Sequence, residues 1–139
     1  MYLIQQCSEE DKRLIVDGLV AYNLSLVPPL QEELFCDLSR KIVSESGEIA
    51  GGIIARMYCW NCVNVDSLWV ADLCRGTGLG RELLWQVEEE ARNKGARLIH
   101  LDTFDFQARG FYERNGYEVF GVLEDCPAGH RRYYMKKCL

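Results

Sequence analysis

The sequence has no long hydrophobic run and no recognisable targeting segment. Among its 139 residues, no apolar stretch approaches the roughly 18 residues that a membrane-spanning helix requires. Residues 1–11 lack the basic start and the apolar centre of a secretory signal peptide. These absences argue against a membrane protein and against a secreted one. We therefore expect a cytoplasmic protein without membrane contact.

Histidine is scarce, and acidic residues outnumber basic ones by 21 to 16. The formal net charge is −5, which argues against a broad nucleic-acid-binding face and is compatible with a cationic substrate such as an amine. The two histidines, His100 and His130, show no metal-ligand spacing with the seven cysteines, so we expect no metal. In a cytosolic chain those cysteines should be reduced and mostly packed, including the Cys59–Cys62 pair.

Apolar periodicity predicts one mixed α/β domain over residues 1–139. In order, the pattern predicts a β segment at 2–6, a helix from Ser8 to about Tyr22, strands at 34–43, 48–58 and 62–70, a helix at 79–94, a strand at 97–103, a short helix at 107–115, and strands at 117–123 and 131–137. The strand, helix and strand in the middle require a parallel pair. We expect a mostly antiparallel sheet of about six or seven strands with helices on both faces.

The most informative stretch, residues 68–81, joins a strand to a helix through glycines. Its glycines and flanking arginines are Arg75, Gly76, Gly78, Gly80 and Arg81. Glycines leave the backbone N–H groups uncovered by side chains, and here those groups lie at the positive end of the helix dipole. The turn can therefore hold an anionic phosphate, with the two arginines adding positive charge.

The glycine spacing narrows the choice of phosphate ligand. A P-loop is excluded because Arg81 and Glu82 follow Gly80 where lysine and serine or threonine are required. The dinucleotide fingerprint fails because it needs a glycine at position 81. Arg75, Gly78 and Gly80 do fit Arg-x-x-Gly-x-Gly. That spacing resembles the pyrophosphate loop of the GNAT superfamily of acyl-CoA N-acyltransferases.

A second motif strengthens the resemblance. Ala108-x-x-Phe111-Tyr112-x-x-x-Gly116-Tyr117 is similar to the other GNAT signature, and one helix and one strand separate it from the loop, as in the family. Residues 62–137 as a whole look like the GNAT core, in a bacterial subgroup of small acetyltransferases. The resemblance implies an acetyltransferase that moves an acetyl group from acetyl-CoA to a primary amine by direct attack in a ternary complex.

The resemblance also implies a role for each matching residue. The pantetheine arm would pair with backbone groups of Leu68, Trp69 and Val70. The pyrophosphate would lie on the loop residues Arg75, Gly76, Thr77, Gly78, Leu79, Gly80 and Arg81. Tyr112 would lie near the thioester sulfur and protonate the leaving thiolate, because a phenol with an unperturbed pKa of about 10 is protonated at neutral pH.

Other polar residues depart from the family pattern or leave alternatives open. Asp105 stands where many members carry an asparagine that binds the cofactor arm. A carboxylate cannot donate to a carbonyl, so either the contact is lost or Asp105 serves the substrate, and Gln107 is a nearby amide that can replace it. The resemblance places Asp66 where family members often carry an acidic residue facing the acceptor, so we expect it to deprotonate the amine, with Asp102 or a water molecule as alternatives. We expect His100 to be packed and hydrogen-bonded.

The motifs do not name the acceptor. Its pocket is expected from residues 20–35, the hairpin near Trp60 and the loop 124–130. The chain has no added recognition domain, which favours a small amine. A protein N-terminus or lysine, and a non-catalytic CoA-binding sensor, are the alternatives. Homodimers, formed through edge strands, are a common assembly on the architecture that the resemblance implies.

Overall fold

The computed structural model describes all residues, 1–139, and confirms the mixed α/β fold. The helices are α1 (Glu9–Leu26), α2 (Leu79–Asn93) and α3 (Arg109–Arg114). The strands are β1 (Phe35–Asp37), β2 (Arg40–Val43), β3 (Ile49–Tyr58), β4 (Cys62–Val70), β5 (Leu98–Phe104), β6 (Glu118–Glu124) and β7 (Arg131–Cys138). None of the helices is both long and apolar enough to cross a membrane.

One seven-stranded sheet forms the centre of the molecule. Its order is β1-β3-β4-β5-β7-β6, and β2 also pairs with β3. The pair β4 and β5 is parallel, as expected for strands joined by the crossover helix α2, and the other pairs are antiparallel. Gly51 packs so closely on β4 that an added Cβ would lie 2.8 Å from the Trp69 carbonyl oxygen. Gly51 therefore lets the backbones of β3 and β4 approach closely.

The main core lies between α2, α3 and one face of the sheet. Apolar residues of α2 recur at helical spacing and are buried against the central strands: Leu83, Leu84, Val87 and Ala91. α1 lies on the opposite face, where Val20 and Asn23 line a cavity with β3, β4 and β5 residues. Helices therefore occupy both faces, as predicted, but α1 buries none of its residues.

A buried carboxylate on α2 links this helix to β7 and to the residues that follow α3. Glu88, 4% exposed, accepts hydrogen bonds from the Tyr117 hydroxyl (2.7 Å) and from Lys137 Nζ (2.9 Å). Lys137 also donates to the Asn115 carbonyl at 2.9 Å. Burial and the Glu88 charge raise the pKa of Tyr117 well above its ordinary value. This network fixes α3 relative to α2 and β7.

Two segments differ from the sequence-based expectation. Residues 2–6 form no strand, because they are exposed and no strand edge lies alongside them to supply a hydrogen-bonded ladder. The predicted strand at 34–43 is divided into β1 and β2, because the chain turns inward at Leu38, which is fully buried and donates to Ala55. Ser8 does cap α1, through a capping box with Asp11, but the helix continues to Leu26.

Candidate active site

The parallel strands β4 and β5 separate after a short ladder. Three residue pairs join them, the last being Asn64 with His100, and beyond it β4 continues to Val70 and β5 to Phe104 without pairing. The register of β4 against β3 shifts beside Asp66, and such a bulge bends a strand away from its neighbour. The opening between the two strands, called the wedge below, is the structural centre of the candidate site.

The edge of β4 offers backbone groups to the wedge. Ala71 N–H donates to Ala50 on β3 at 2.8 Å, and the direction of backbone groups alternates along a strand. The groups of Trp69 therefore face β3, whereas those of Leu68 and Val70 face the wedge. The Val70 carbonyl accepts from Arg75 Nε at 2.9 Å. The Val70 N–H and both groups of Leu68 are therefore placed to pair with an extended ligand in the wedge, whereas the groups of Trp69 are not.

The glycine loop presents a run of free donors. Gly76 and Gly78 have φ of +75° and +86°, a left-handed conformation that glycine adopts readily. The backbone N–H groups from Gly76 to Arg81 donate to no atom of the chain; the first to do so is that of Glu82, to Gly78 (3.0 Å). These six donors lie at the N-terminus of α2, so they form a site for an anion.

Two polar side chains of the loop contact the protein itself, and a third is left for a ligand. Arg75 holds the loop against β4 through Val70 and pairs with Asp72 at 2.7 Å. Thr77 donates its hydroxyl to the Cys74 carbonyl. Arg81 is exposed and makes no ion pair, which leaves its charge for a ligand. The sequence placed all these residues in one binding loop, and the structure directs Arg75 mainly toward the protein.

Tyr112 lies on the helix side of the wedge with its ring buried. It is 6% exposed, and its ring contacts Phe111 (5.2 Å) and Tyr117 (5.6 Å) edge-on. The hydroxyl makes no hydrogen bond, yet no unpartnered polar atom of the structure is buried, so the hydroxyl reaches solvent. Burial, followed by the charge of Asp102 on β5, raises the pKa of Tyr112 to about 12. The phenol is therefore protonated throughout the physiological range.

The two candidate bases differ in their partners. Asp102 Oδ1 accepts from Arg132 Nε at 2.8 Å and lies 2.7 Å from its Nη2. Asp66 is exposed at the bulge, and its carboxylate accepts one hydrogen bond, from the Ser67 hydroxyl at 3.3 Å. The Asp102 carboxylate is thus engaged by a guanidinium, whereas the Asp66 carboxylate makes no ion pair. Asp66, the first choice from sequence, stays the predicted base, with Asp102 as the alternative.

Asp105 and Gln107 take different roles at the end of β5. Asp105 accepts from the Arg131 N–H (2.9 Å) and lies 2.8 Å from His130 Nδ1, which ties the loop 124–130 to β5. Desolvation by itself raises the pKa of Asp105, but these hydrogen bonds lower it overall. Gln107 accepts from the Phe104 N–H at 2.9 Å and leaves its amide NH₂ unpartnered. Gln107 thus retains the donor that Asp105 lacks.

A cavity of about 330 Å³ opens on the face opposite α2. It is lined by Val20, Asn23, Phe35, Arg56, Tyr58, Cys59, Trp60, Asn64 and His100. Asn64 and His100 are the last pair of the parallel ladder, so the cavity begins where the wedge begins. Two of the three segments expected around the acceptor, residues 20–35 and the hairpin at Trp60, line it. The loop 124–130 does not.

His100 is half-buried and hydrogen-bonded, as predicted. Its Nε2 and the Tyr58 hydroxyl are 2.7 Å apart, and the two rings meet edge-on at 5.8 Å. Burial lowers the pKa of His100, and the nearby Asp102 offsets part of that effect. Sequence reasoning missed Tyr58 and Arg56; the signal was their alternation with the apolar residues Ala55 and Met57, which places them on the opposite face of β3.

Comparison with known proteins identifies the family. Residues 13–117 match the model of the acetyltransferase (GNAT) family. The chain belongs to the GNAT family of acetyltransferases. Blasticidin-S acetyltransferase of Streptomyces morookaense is 39% identical over 94 residues, which are 67% of this chain and 68% of that protein. The acetyltransferase Atu2258 of Agrobacterium fabrum is 30% identical over 128 residues, 92% of this chain and 90% of that protein.

Solved GNAT structures share the whole architecture. The crystal structure of an acetyltransferase from Bacillus cereus superposes with a TM-score of 0.88 at 35% identity, covering 99% of this chain and 98% of the other. The resemblance inferred from the glycine loop and the Phe111–Tyr117 motif is thereby confirmed, and the protein is an acetyltransferase. In this GNAT chain, no group of three or more His, Cys, Asp or Glu residues is arranged to hold a metal ion.

Proposed function

We propose that this GNAT enzyme moves the acetyl group of acetyl-CoA to the primary amine of a small molecule by direct attack in a ternary complex. The main support is that two binding features meet at the wedge. The free N–H groups of residues 76–81 lie near its helix side, and the cavity begins at its floor, at Asn64 and His100. Donor and acceptor would thus approach the same point from opposite faces of the sheet.

Residues of the loop and of β4 would hold the donor. Acetyl-CoA, when bound, supplies an acetyl group activated as a thioester. The N–H groups from Gly76 to Arg81 would bind its pyrophosphate, and Leu68 and Val70 would pair with the amides of its arm as an added strand does. Gln107 would donate its free amide to the same arm. The Val70 N–H would polarise the thioester carbonyl.

Two side chains would carry the protons of the reaction. Asp66, directly or through a water molecule, would accept the proton that the ammonium form of the substrate must lose. The amine nitrogen then attacks the thioester carbon, the C–S bond breaks, and Tyr112 protonates the leaving thiolate. The high pKa of Tyr112 suits this role, because the burial that disfavours the phenolate also raises the proton affinity of a thiolate released beside it.

The cavity favours a small acceptor. Its volume of about 330 Å³ lies at the lower end of the range of small-molecule sites, about 300 to 1,000 Å³. Phe35, Tyr58 and Trp60 give it aromatic walls that suit a flat ligand. The blasticidin-S acetyltransferase relative points in the same direction. We therefore propose a small amine rather than a protein N-terminus or lysine.

We also propose a cytoplasmic location and a single domain. All seven cysteines are free thiols, which suits a reducing compartment such as the cytoplasm. Seventeen buried apolar residues form one contiguous core cluster on one sheet, which supports a single domain over residues 1–139.

Release of CoA thiol tests the proposal directly. Acetyl-CoA is mixed with a panel of small primary amines and, separately, with peptides that carry a free N-terminus or a lysine. The N-acetylated form of each acceptor is the control, because it has no amine to acetylate. Turnover is expected with small amines. Turnover with peptides alone would contradict the small acceptor, and tight CoA binding without turnover on any acceptor would favour a sensor.

Replacing Asp66 by asparagine should lower kcat/KM for the amine by about 100-fold at pH 7. The deficit should narrow as the pH rises toward the pKa of the amine, because an amine that is already deprotonated needs no base. The pH profile of CoA release measures both effects. Glu45→Gln removes the same charge from an exposed turn and should leave the profile unchanged. Equal rates for wild type and Asp66→Asn across the range would remove Asp66 from the mechanism.

A further inference from the structure

The cavity beside His100 holds one side chain that is charged at neutral pH, Arg56 on β3. Burial lowers the pKa of His100, so its imidazole is neutral there. Burial raises the pKa of both the Tyr58 hydroxyl and the Cys59 thiol, and the Arg56 charge offsets part of each shift. Those two groups stay protonated, and the charge of Arg56 reaches into the cavity. The cavity therefore carries a net positive charge.

No acidic side chain of the chain pairs with the Arg56 guanidinium. Its Cζ lies 5.0 Å from the centre of the Phe35 ring, a contact that stabilises a cation without neutralising it. Asp37 is the ladder partner of Arg56 on β1, but its carboxylate accepts from the Ser39 N–H at 2.9 Å. The hydrogen bonds from Ser39 lower the pKa of Asp37, with a smaller contribution from Arg40. The N–H donors of Arg56 are thus left for a ligand.

Arg56 lies on the same face of the sheet as the predicted base. Arg56, Asn64 and His100 are ladder partners across β3, β4 and β5, so they form one row on the cavity face. Val65 is buried on the other face, and alternation along β4 places Asp66 on the cavity face with Asn64. With strands about 4.8 Å apart and a rise of about 3.3 Å per residue, the Cα atoms of Arg56 and Asp66 are on the order of 8 Å apart. A ligand a few bonds long can therefore reach both side chains.

The charge of Arg56 decides which amines suit the cavity. A neutral ligand that covered the guanidinium would remove water from it without supplying an ionic partner. A diamine would bring a second cation next to the first, and a phosphate ester would bring nearly two negative charges to one guanidinium. A carboxylate matches both the charge and the planar fork of the guanidinium, with two parallel hydrogen bonds. The amide side chains of Asn23 and Asn64, which also line the cavity, can bond other polar atoms of the ligand.

We propose that Arg56 selects a primary amine that also carries a carboxylate on a short chain, and binds the carboxylate while the amine faces Asp66. The proposal rests on the proposed function, because it takes the cavity as the acceptor site. Arg56 touches no reacting atom, so it is a specificity residue that sets the KM of the acceptor rather than kcat. Its side chain is exposed, so variants at this position should fold as the wild type does.

Acceptors of matched chain length test the proposal. Straight-chain ω-amino acids, amino alcohols, diamines and amino phosphate esters are each assayed for CoA release from acetyl-CoA. The value of kcat/KM should be about 10- to 100-fold higher for the amino acids than for the amino alcohols, the gain expected from hydrogen bonds between charged groups. Arg56→Gln should remove that gain by raising the KM of the amino acids, with kcat changed by no more than about twofold. Arg97→Gln removes an exposed guanidinium outside the cavity and should change neither value.

Charge reversal gives a second result that a merely structural role would not produce. Arg56→Glu should reverse the preference, so that diamines become better acceptors than amino acids. Equal kcat/KM for amino acids and amino alcohols on the wild type would overturn the proposal, and so would a preference for amino phosphate esters. Either result would leave acetyl transfer to small amines intact.

Calorimetry with the ω-amino acids on the CoA-loaded enzyme gives a readout that needs no turnover. Their Kd should rise by about 10- to 100-fold in Arg56→Gln. If that rise is seen but no amine releases CoA, the proposed function is wrong and the carboxylate site at Arg56 stands. If the wild type does not bind the ω-amino acids, the carboxylate site itself is wrong.

Discussion

Replacing Tyr112 by phenylalanine should reduce kcat by about 100-fold or more, whereas the Kd of acetyl-CoA should change by no more than about twofold. The ring packs between Phe111 and Tyr117, and phenylalanine preserves that packing. The hydroxyl has no partner in the protein, so its loss strands no buried group. What is removed is the proton for the departing thiolate. Steady-state CoA release measures kcat, and calorimetry measures acetyl-CoA binding.

Tyr117→Phe is the matched control for this experiment. It removes one hydroxyl from a buried tyrosine whose ring lies 5.6 Å from that of Tyr112. That hydroxyl donates to buried Glu88, so the variant should lose about 1–3 kcal/mol of unfolding free energy but keep its kcat below the new Tm. Tyr112→Phe should show the opposite pattern, a normal Tm and a low kcat. If Tyr112→Phe turns over at the wild-type rate, Tyr112 is not the acid.

Replacing Gly78 by aspartate should raise the Kd of acetyl-CoA by about 100-fold or more, because it sets a carboxylate among the N–H groups that would bind the pyrophosphate. Nothing lies within 4 Å of a Cβ added at Gly78, so the new side chain meets no steric barrier within the chain. The aspartate carboxylate would occupy the anion site of the loop and repel the pyrophosphate. Calorimetry with acetyl-CoA measures the loss, and kcat/KM for the donor should fall in proportion.

Gly47 offers a closely matched control for Gly78. Both glycines have φ of +86°, and neither has an atom within 4 Å of an added Cβ. Gly47→Asp should therefore carry the same backbone strain, about 1–2 kcal/mol, without any effect on acetyl-CoA. A short acetyl thioester that lacks the diphosphate adds a second control. Gly78→Asp should use it as well as the wild type does. Equal losses with both donors would show that the loop does not act through the diphosphate.

Asp105, which departs from the family pattern, and the nearby Gln107 take complementary roles in the structure. Asp105 has lost the donor that the usual asparagine supplies, and its carboxylate holds His130 and the Arg131 N–H. Gln107, two residues on, keeps a free amide at the end of the same strand. Two residues share these roles because the short segment 105–107 must both anchor the loop 124–130 and face the wedge.

Local features allowed much of the fold and the loop to be predicted. The apolar spacing of residues 79–94 defined α2 because helical periodicity is a property of neighbouring residues. Gly76 and Gly78 marked the loop because their left-handed backbone suits glycine wherever the chain makes such a turn. The second signature located α3 and Tyr112 in the same way. These elements were found without any knowledge of what packs against them.

Contacts between distant segments decided the rest. Asp102 is held by Arg132, which is 30 residues away, so this ion pair was invisible in the sequence. The bulge beside Asp66 and the register with β3 turn Leu68 and Val70 toward the wedge and Trp69 away from it. The sequence by itself determined the family, the position of the glycine loop before α2 and the position of Tyr112 on α3. Only the tertiary structure determined the ion pair of Asp102, the cavity at Tyr58 and His100 and the exposure of α1, because each depends on which faces of separate elements meet.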